Sequence, residues 1–502
     1  MINNRNGIII IVIMFLGKLI ALMRDIFMSK AYGISYVADA YNISYILTVT
    51  IFGVISSAIT NSLIPALSNV NNSSDDKSKL FGFLSNVINV MSVISIIITI
   101  GTILCSRQIV IIIGGELTSD TVNLASNLVK ISLISIVFLT LNSILNAILR
   151  ICNYYKTPVF ATLVLNIPSL LYLIFFSNNG VGGLTVALVL GYIIQCLIQI
   201  PALVKLGYKH KFFICLKDIN LVHAFKSIPS MILASGILQI SVMFDNRMAG
   251  NLGNGYISSL AIASKVNALV YTVFATSLIQ VVYAQMANAY KGKNKSAVKS
   301  ILINFVNKIL ILILPMMIVM IMLSKEIITL LFFRGEFSRE AVNISSTALV
   351  FYSLGLIFYI IRDILNYAFY SMDLKKIPIK IGIYSVIINI ILNIILTPLI
   401  GIGGISLATS IAAVVSVIVL RYKLSISVGN MILINKRELL KVIIGIIPII
   451  INIIIYKSSV NSINIISLAI LAIVSCIEYL FILFILKHSE IKVKRGLLWK
   501  LQ

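Results

Sequence analysis

The sequence predicts an all-α polytopic membrane protein: about 14 transmembrane helices, in two six-helix lobes that form a parallel internal repeat, plus two C-terminal helices. Three observations predict it. The 502-residue chain is 59% apolar and only 11% charged, with a mean hydropathy of +1.06; a soluble domain carries about 25% charged residues. Apolar runs of about 20 residues, enough to cross a bilayer, recur along the chain. Basic residues gather in every second connection between those runs.

This composition excludes soluble multidomain enzymes, disordered chains and secreted disulfide scaffolds. The five cysteines, Cys105, Cys152, Cys196, Cys215 and Cys476, are scattered without CxxC spacing, which argues against a disulfide framework or a zinc site. The three histidines, His210, His223 and His488, lie near the ends of apolar runs and form no ligand pattern. A net charge of +24 would suggest nucleic acid in a soluble protein. Here the hydropathy makes it a matter of topology, and no nucleic-acid partner is expected.

In chain order the apolar segments are 8–27, 37–63, 80–104, 122–149, 158–176, 181–206, 224–250, 257–289, 298–323, 341–369, 377–399, 403–424, 439–456 and 463–486. The first has the look of a leader, with Arg5 ahead of Ile8 to Leu16. No small-residue cleavage site follows, and the run continues past Lys18, so it is read as the first span. Fourteen spans place both termini on one side. That side, taken as the N-terminus, the even-to-odd connections and the C-terminus, holds 26 of the 40 Lys and Arg residues, and the opposite side holds 7. The bias predicts that both termini are cytoplasmic. The excess charge then attracts anionic lipid heads.

The repeat has an offset of about 220 residues. Asn146 precedes Lys156 and Pro158 by the same distances at which Asn366 precedes Lys376 and Pro378. A span follows each proline, and then a glycine pair, Gly182-Gly183 or Gly403-Gly404. Six spans fit in the offset. An even number preserves orientation, so the lobes are parallel repeats. The expected domains are 1–217 (spans 1–6), 218–430 (spans 7–12) and 431–502 (spans 13–14 and a cytoplasmic tail).

Six short stretches stand out along this frame. They are Gly17-Lys18-Leu19-Ile20-Ala21-Leu22-Met23-Arg24-Asp25, Ala38-Asp39-Ala40-Tyr41, Asn153-Tyr154-Tyr155-Lys156-Thr157-Pro158, Phe333-Arg334-Gly335-Glu336-Phe337, Tyr352-Ser353-Leu354-Gly355 and Phe369-Tyr370-Ser371-Met372-Asp373. Taken in order, across roughly residues 10 to 430, they resemble the MurJ (MviN) family, the lipid II flippases of the multidrug/oligosaccharidyl-lipid/polysaccharide exporter superfamily. The first resembles that family's SRxxGxxRD opening, the second its aDAf motif, and the fourth and fifth its eRGaF and ySxGl elements. There are departures. Lys18 replaces the first arginine, and Lys265 stands where span 8 usually has an arginine. Span 2 has no charge from Thr48 to Ser62, before Pro65, where the family carries arginines and a glutamate.

A charge at the centre of a membrane helix costs about 2.5–3.5 kcal/mol on insertion scales, so such residues line cavities or pair. Lys18, Arg24, Asp25 and Asp39 fall in spans 1 and 2, and Lys265 in span 8. On a helix Lys18 and Asp25 share a face, with Arg24 about 120° away from Lys18. The resemblance implies a water-filled cavity in which Lys18, Arg24 and Lys265 receive a pyrophosphate, with Asp25 and Asp39 alongside. The alternative is that Arg24, Asp25 and Asp39 form a structural network at the outer face.

Asp245 in span 7, Asn389 and Asn393 on span 11, and Ile405 and Thr409 on span 12 offer a carboxylate, amides, a backbone carbonyl and a hydroxyl. The resemblance implies a Na⁺ site of this kind. Interhelical hydrogen bonding is the plainer use of Asn and Thr in membranes, and Arg247 is positioned to pair with Asp245. Arg362-Asp363 in span 10 reads as a structural or gate-forming ion pair, and Glu478 in span 14 as isolated.

The resemblance implies a flippase for undecaprenyl-pyrophosphate-linked peptidoglycan precursor, lipid II, working by alternating access as a monomer in the bacterial cytoplasmic membrane. Its partners would be lipid II and membrane lipids. No cofactor is expected beyond coupling to Na⁺ or to the membrane potential. A flippase for another polyprenyl-linked glycan (capsule, teichoic or exopolysaccharide) is the close alternative, and a cation-coupled drug antiporter the more distant one. The outer loops are short and hold no histidine or paired carboxylates, so the chain is not expected to be an enzyme.

Overall fold

Isoleucine covers the outside of the helices, and serine, asparagine and threonine line the inside. In the helix Lys376–Ile400, Ser385, Asn389, Asn393 and Thr397 are buried, while Ile383, Ile387, Ile391, Ile394 and Ile395 are exposed. The same inversion holds over Lys77–Leu104, with Ser85, Asn86, Ser95 and Thr99 inside and Ile97, Ile98 and Ile100 outside. A water-soluble helix does the reverse. These helices have hydrocarbon as their solvent, and their backbone polar groups are satisfied within each helix.

The computed structural model describes residues 4–73, 77–273, 277–291, 294–429, 433–459 and 464–486. The basic tail with Lys487, Lys492, Lys494, Arg495 and Lys500, and also His488 and Lys293, lie outside the described residues. Among the described residues 11 helices are long and apolar enough to cross a membrane, or 12 if a pair bent by 44° within 219–250 counts as one span. The expected spans that this measure does not add are the first and the eighth. The first lies in the continuous helix Asn4–Tyr32. The eighth is divided between two helices either side of residues 274–276, which lie outside the described residues.

Contacts divide the chain into two units, Met1–Ala261 with Arg334–Ala341, and Ile262–Phe333 with Val342–Gln502. The first unit holds α1 (Asn4–Tyr32), α2 (Tyr36–Tyr45), a π-helical stretch Ile46–Ile51, α3 (Phe52–Ser73), α4 (Lys77–Leu104), α5 (Ser106–Gly114), α6 (Ser119–Ser132), α7 (Ser135–Ile151), α8 (Lys156–Val164), α9 (Ile167–Phe175), α10 (Val181–Lys205) and α11 (Ile219–Gly250). Its core joins α3, α4, α7, α10 and the start of α11 through Leu63, Leu67, Leu84, Val87, Ile144, Ile148, Leu203 and Leu221, all at most 3% exposed. Although α11 opens the second expected lobe, it packs on α3 and α5 and groups with the first unit.

Helix α12 (Tyr256–Tyr271) runs across the division. The second unit continues with α13 (Ser277–Lys291), α14 (Lys295–Met322), α15 (Ser324–Phe332), α16 (Arg339–Ser371, its first turn in the first unit), α17 (Lys376–Ile400), α18 (Ile402–Val428), α19 (Lys436–Ser459) and α20 (Ile465–Ile485). The hairpin α19–α20 is held to α14 by Val442, Ile446, Ile449, Ile453 and Leu483, and by the Tyr479 hydroxyl donating to the Ile311 carbonyl at 2.7 Å. Glu478 is not isolated: Asn452 of α19 donates to its carboxylate at 2.6 Å.

One turn of the expected repeat recurs in the backbone. α7 ends at Ile151 and α8 starts at Lys156; α16 ends at Ser371 and α17 starts at Lys376. In the first turn Asn153 has φ +63°, and in the second Asp373 has φ +59°. Tyr154 N–H donates to Leu149 O at 2.8 Å, and Leu374 N–H to Phe369 O at 2.9 Å. Both are the left-handed helix stop in which the chain's next N–H reaches back over the last turn. Asn and Asp are the side-chain-bearing residues that tolerate this conformation best.

Candidate functional site

Proline shapes the surroundings of Arg24. Pro168 has no N–H to offer the preceding turn, and the helical path breaks between Val164 and Ile167. The break turns Asn166 toward α1, where its side-chain oxygen accepts from Arg24 Nη1 at 2.8 Å. Arg24 Nη2 and Nε both donate to Asp25 Oδ1, at 2.7 and 3.2 Å. The guanidinium lies 4.7 Å from the Tyr45 ring centroid and donates to the Tyr45 hydroxyl at 3.3 Å. Arg24 is 2% exposed and Asp25 7%. A buried cation is tolerable only when its donors are used, and here three partners surround it. Tyr45 immediately precedes the π-helical stretch, a local widening that often marks functional positions.

Asp39 is held in a second place. It is fully buried on α2, and Ser35 caps that helix by accepting from Ala38 N–H at 3.4 Å. One carboxylate oxygen accepts from Ser258 N–H at 2.8 Å and from the Ser258 hydroxyl, and the other from Gly255 N–H. These groups form the first turn of α12. Asp39 therefore caps a helix 216 residues away; its charge also faces the positive end of that helix. Asn42, one turn on, donates to the Ser258 hydroxyl at 3.2 Å.

Gly335 and Glu336 meet the end of α1. Glu336 N–H donates to Lys30 O at 3.0 Å. Gly33 (φ +56°) and Gly335 (φ +59°) let the two backbones touch. A Cβ on Gly33 would strike the Glu336 carbonyl, and a Cβ on Gly335 the Lys30 carbonyl.

The other sequence-predicted residues fall as follows. Lys18 is exposed on α1. Asp245 is buried near the end of α11, and Arg247 there donates to the Ile112 carbonyl at 3.3 Å. In the second unit, Lys265 is half-buried on α12. Asn389, Asn393, Ile405 and Thr409 come together there as a chain. Asn393 donates to Asn389 Oδ1 at 3.1 Å, Asn389 to Thr409 Oγ1 at 3.1 Å, and Thr409 to the Ile405 carbonyl at 3.2 Å. Arg362 Nε donates to Asp363 at 3.2 Å, and the Tyr271 hydroxyl donates to the same carboxylate. Among the described residues no group of three His, Cys, Asp or Glu side chains is placed to hold a metal ion.

Four participants escaped the sequence reading: Tyr45, Asn166, Ser258 and Tyr271. Two carried a signal. Asn166 lies two residues ahead of Pro168, where a helix must break, and Ser258 follows Gly253 and Gly255 at a helix start. Tyr45 and Tyr271 carried none, because a tyrosine in an apolar run reads as core.

Apolar outside, polar inside, with buried charges held between helices, this fold defines a multi-pass α-helical membrane protein. The chain belongs to the lipid II flippase MurJ family, whose model matches residues 28–473. It is 27% identical over 415 residues to a probable lipid II flippase MurJ of Buchnera aphidicola subsp. Acyrthosiphon pisum (strain APS), covering 82% of this chain and 81% of that one. It is 24% identical over 422 residues to the Vibrio cholerae serotype O1 counterpart, covering 82% and 80%. A solved structure of lipid II flippase MurJ in an inward closed conformation matches with a TM-score of 0.83 at 26% identity, over 97% of this chain and 100% of that one. An inward-facing multidrug resistance MATE family transporter of the MOP superfamily matches with a TM-score of 0.71 at 14% identity, over 84% and 98%, a likeness of fold alone.

Proposed function

We propose that this chain carries lipid II, the undecaprenyl-pyrophosphate-linked peptidoglycan precursor, across the bacterial cytoplasmic membrane by alternating access, with both termini cytoplasmic and the monomer as the working unit. The repeat lobes 1–217 and 218–430 are the proposed moving parts. The observation that carries the reading is the family match across 446 residues, 28–473, together with a fold likeness along 97% of the chain. A transporter of this kind makes and breaks no covalent bond, so no catalytic residue is assigned.

The pyrophosphate needs cations, because leaving a diphosphate unpaired in a low-dielectric site is prohibitive. We assign that contact to Lys18 and Lys265, with Arg24 acting through the α1–α9 arrangement that it holds together. Coupling is proposed through the membrane potential, about 2.3 kcal/mol per charge per 100 mV, or through Na⁺. The Asn389–Thr409–Ile405 chain offers hard oxygen atoms of the type Na⁺ takes. The sequence set also included Asp245, which lies in the first unit; the ion proposal rests on the residues of the second.

A flippase for another polyprenyl-linked glycan is the second reading, favoured by the uncharged segment from Thr48 to Ser62. One experiment separates the two. The host's own lipid II flippase is depleted and this chain expressed in its place, and lipid II reaching the outer face is scored by cleavage with an added toxin that attacks its headgroup. Restored cleavage supports lipid II as cargo. No cleavage, with the protein present in the membrane, overturns it in favour of the second reading.

A further inference from the structure

Helix α16 has two unlike faces. Ile360, Ile361, Ile364, Leu365, Ala368 and Phe369 are 0–3% exposed. The other face, an arc of about 140°, carries Tyr359, Arg362, Asp363, Asn366, Tyr367 and Tyr370, all half-buried. A lipid-facing surface on this protein is isoleucine, as on α17. Charged and polar groups within a spanning helix turn to the bundle interior or to a water-filled cavity. Asp363 lies eight residues before the end of α16, about 12 Å along the helix from that end.

The groups on that face are pre-arranged. The Tyr359 hydroxyl bonds the Ser410 hydroxyl at 3.1 Å, and the Arg362 guanidinium lies 5.9 Å from the Tyr359 ring. Asp363 is gripped by Arg362 and Tyr271. Tyr283 of α13 stands 5.2 Å from Tyr367, centroid to centroid, and Tyr367 stands 5.7 Å from Tyr370 at 89°. Tyr283 is 37% exposed. The side-chain parts of the Arg362–Asp363 pair are 22% and 25% exposed.

We propose that this tyrosine face, Tyr283, Tyr367 and Tyr370 with Arg362 and Asp363, is the glycan-recognition site of the cargo. Resting on the lipid-linked-glycan reading above, it assigns the sugar to the second unit's own residues. A pyranose ring has a C–H face that stacks on an aromatic ring, and an equatorial hydroxyl rim that pairs with planar carboxylate, amide and guanidinium groups. Tyr367 and Tyr283 supply the stacking surface. Asp363, Arg362 and Asn366 supply the planar polar groups one turn along. Tyr271 fixes the carboxylate so that it meets the sugar in one orientation.

The test measures binding of two lipids to the purified full chain by native mass spectrometry: lipid II, and undecaprenyl pyrophosphate, which has the same tail and diphosphate but no sugar. Wild type is expected to prefer lipid II. Tyr367→Ala is expected to weaken lipid II about tenfold, equivalent to about 1.4 kcal/mol, and to leave undecaprenyl pyrophosphate unchanged, whereas Tyr367→Phe keeps the preference. Should Tyr367→Ala fail to fold, Tyr283→Ala, at the exposed ring, gives the same readout. Equal weakening of both lipids, or no weakening of either, overturns the glycan assignment alone. Absence of binding of both lipids to wild type overturns the cargo reading and this one with it.

Discussion

Arg24 and Asn166, 142 residues apart, are joined at 2.8 Å by a guanidinium donor and an amide oxygen. That bond ties α1 to the break between α8 and α9, and it makes Arg24 a strut before it is anything else. Arg24→Ala removes a buried cation beside Asp25, and the expected cost is about 3–5 kcal/mol. Asn166→Ala removes one acceptor, with an expected cost of about 1–3 kcal/mol. Thermal unfolding in detergent should rank the variants in that order. If Arg24→Ala unfolds like wild type while transport is lost, the guanidinium is a phosphate ligand and the strut is wrong.

Asp39 supplies an acceptor that Asn cannot match. Its two oxygens meet the N–H groups of Gly255 and Ser258, so Asp39→Asn sets an amide N–H₂ against a donor while keeping the shape. We expect a loss of about 1–3 kcal/mol, and about 1 kcal/mol for Ser258→Ala. The two substitutions act on one carboxylate and should fall short of additivity. Additive losses in the double variant, read as unfolding temperatures, would refute the shared cap.

Gly33 and Gly335 are demanding for two reasons at once, positive φ and a facing carbonyl. Gly180 has the first alone: φ +85° with nothing within 4 Å of a Cβ. Gly180→Ala should therefore cost about 1–3 kcal/mol, from backbone strain alone, because φ +85° with ψ 168° is a region open almost only to glycine. Gly33→Ala or Gly335→Ala adds overpacking against backbone, so about 3 kcal/mol or more is expected. Equal unfolding temperatures for Gly33→Ala and Gly180→Ala would show that the contact between Lys30 and Glu336 does not hold in the folded protein.

How far the sequence disclosed this follows from the range of each signal. The spans were legible because hydrocarbon demands an apolar outside along whole helices. The repeat was legible because Lys156 and Lys376, with Pro158 and Pro378, mark a helix start at fixed offset, and the backbone repeats there to within 4° of φ at Asn153 and Asp373. The site was legible in parts. Arg24 and Asp39 stood out because charge in a span is costly; of their partners, Asn166 and Ser258 carried only the mark of a neighbouring helix break or start, and Tyr45 none. Asn166 and Ser258 are polar residues of kinds that occur throughout the chain, and only the three-dimensional path brings them to these carboxylate and guanidinium groups. The grouping of α11 with α3 and α5 was hidden for the same reason: packing partners leave no mark in an isoleucine-rich helix.

The Asn389–Thr409–Ile405 chain separates two uses of the same atoms. As an interhelical bond, the Asn389–Thr409 contact contributes about 0.6 kcal/mol, the usual value for such bonds in membrane bundles. As an ion site, it makes stability depend on Na⁺: at a hundredfold excess over Kd a bound ion adds about 2.7 kcal/mol. We expect the unfolding temperature of wild type to rise when NaCl replaces choline chloride at constant ionic strength. Thr409→Val removes the hydroxyl oxygen but keeps the volume, so it should abolish that rise while lowering the sodium-free unfolding temperature only slightly. A rise of equal size in Thr409→Val would exclude this chain as the ion's seat, and leave Thr409 as a helix-to-helix hydrogen bond. Should wild type show no rise at all, Na⁺ has no place here, and the membrane potential is left as the drive.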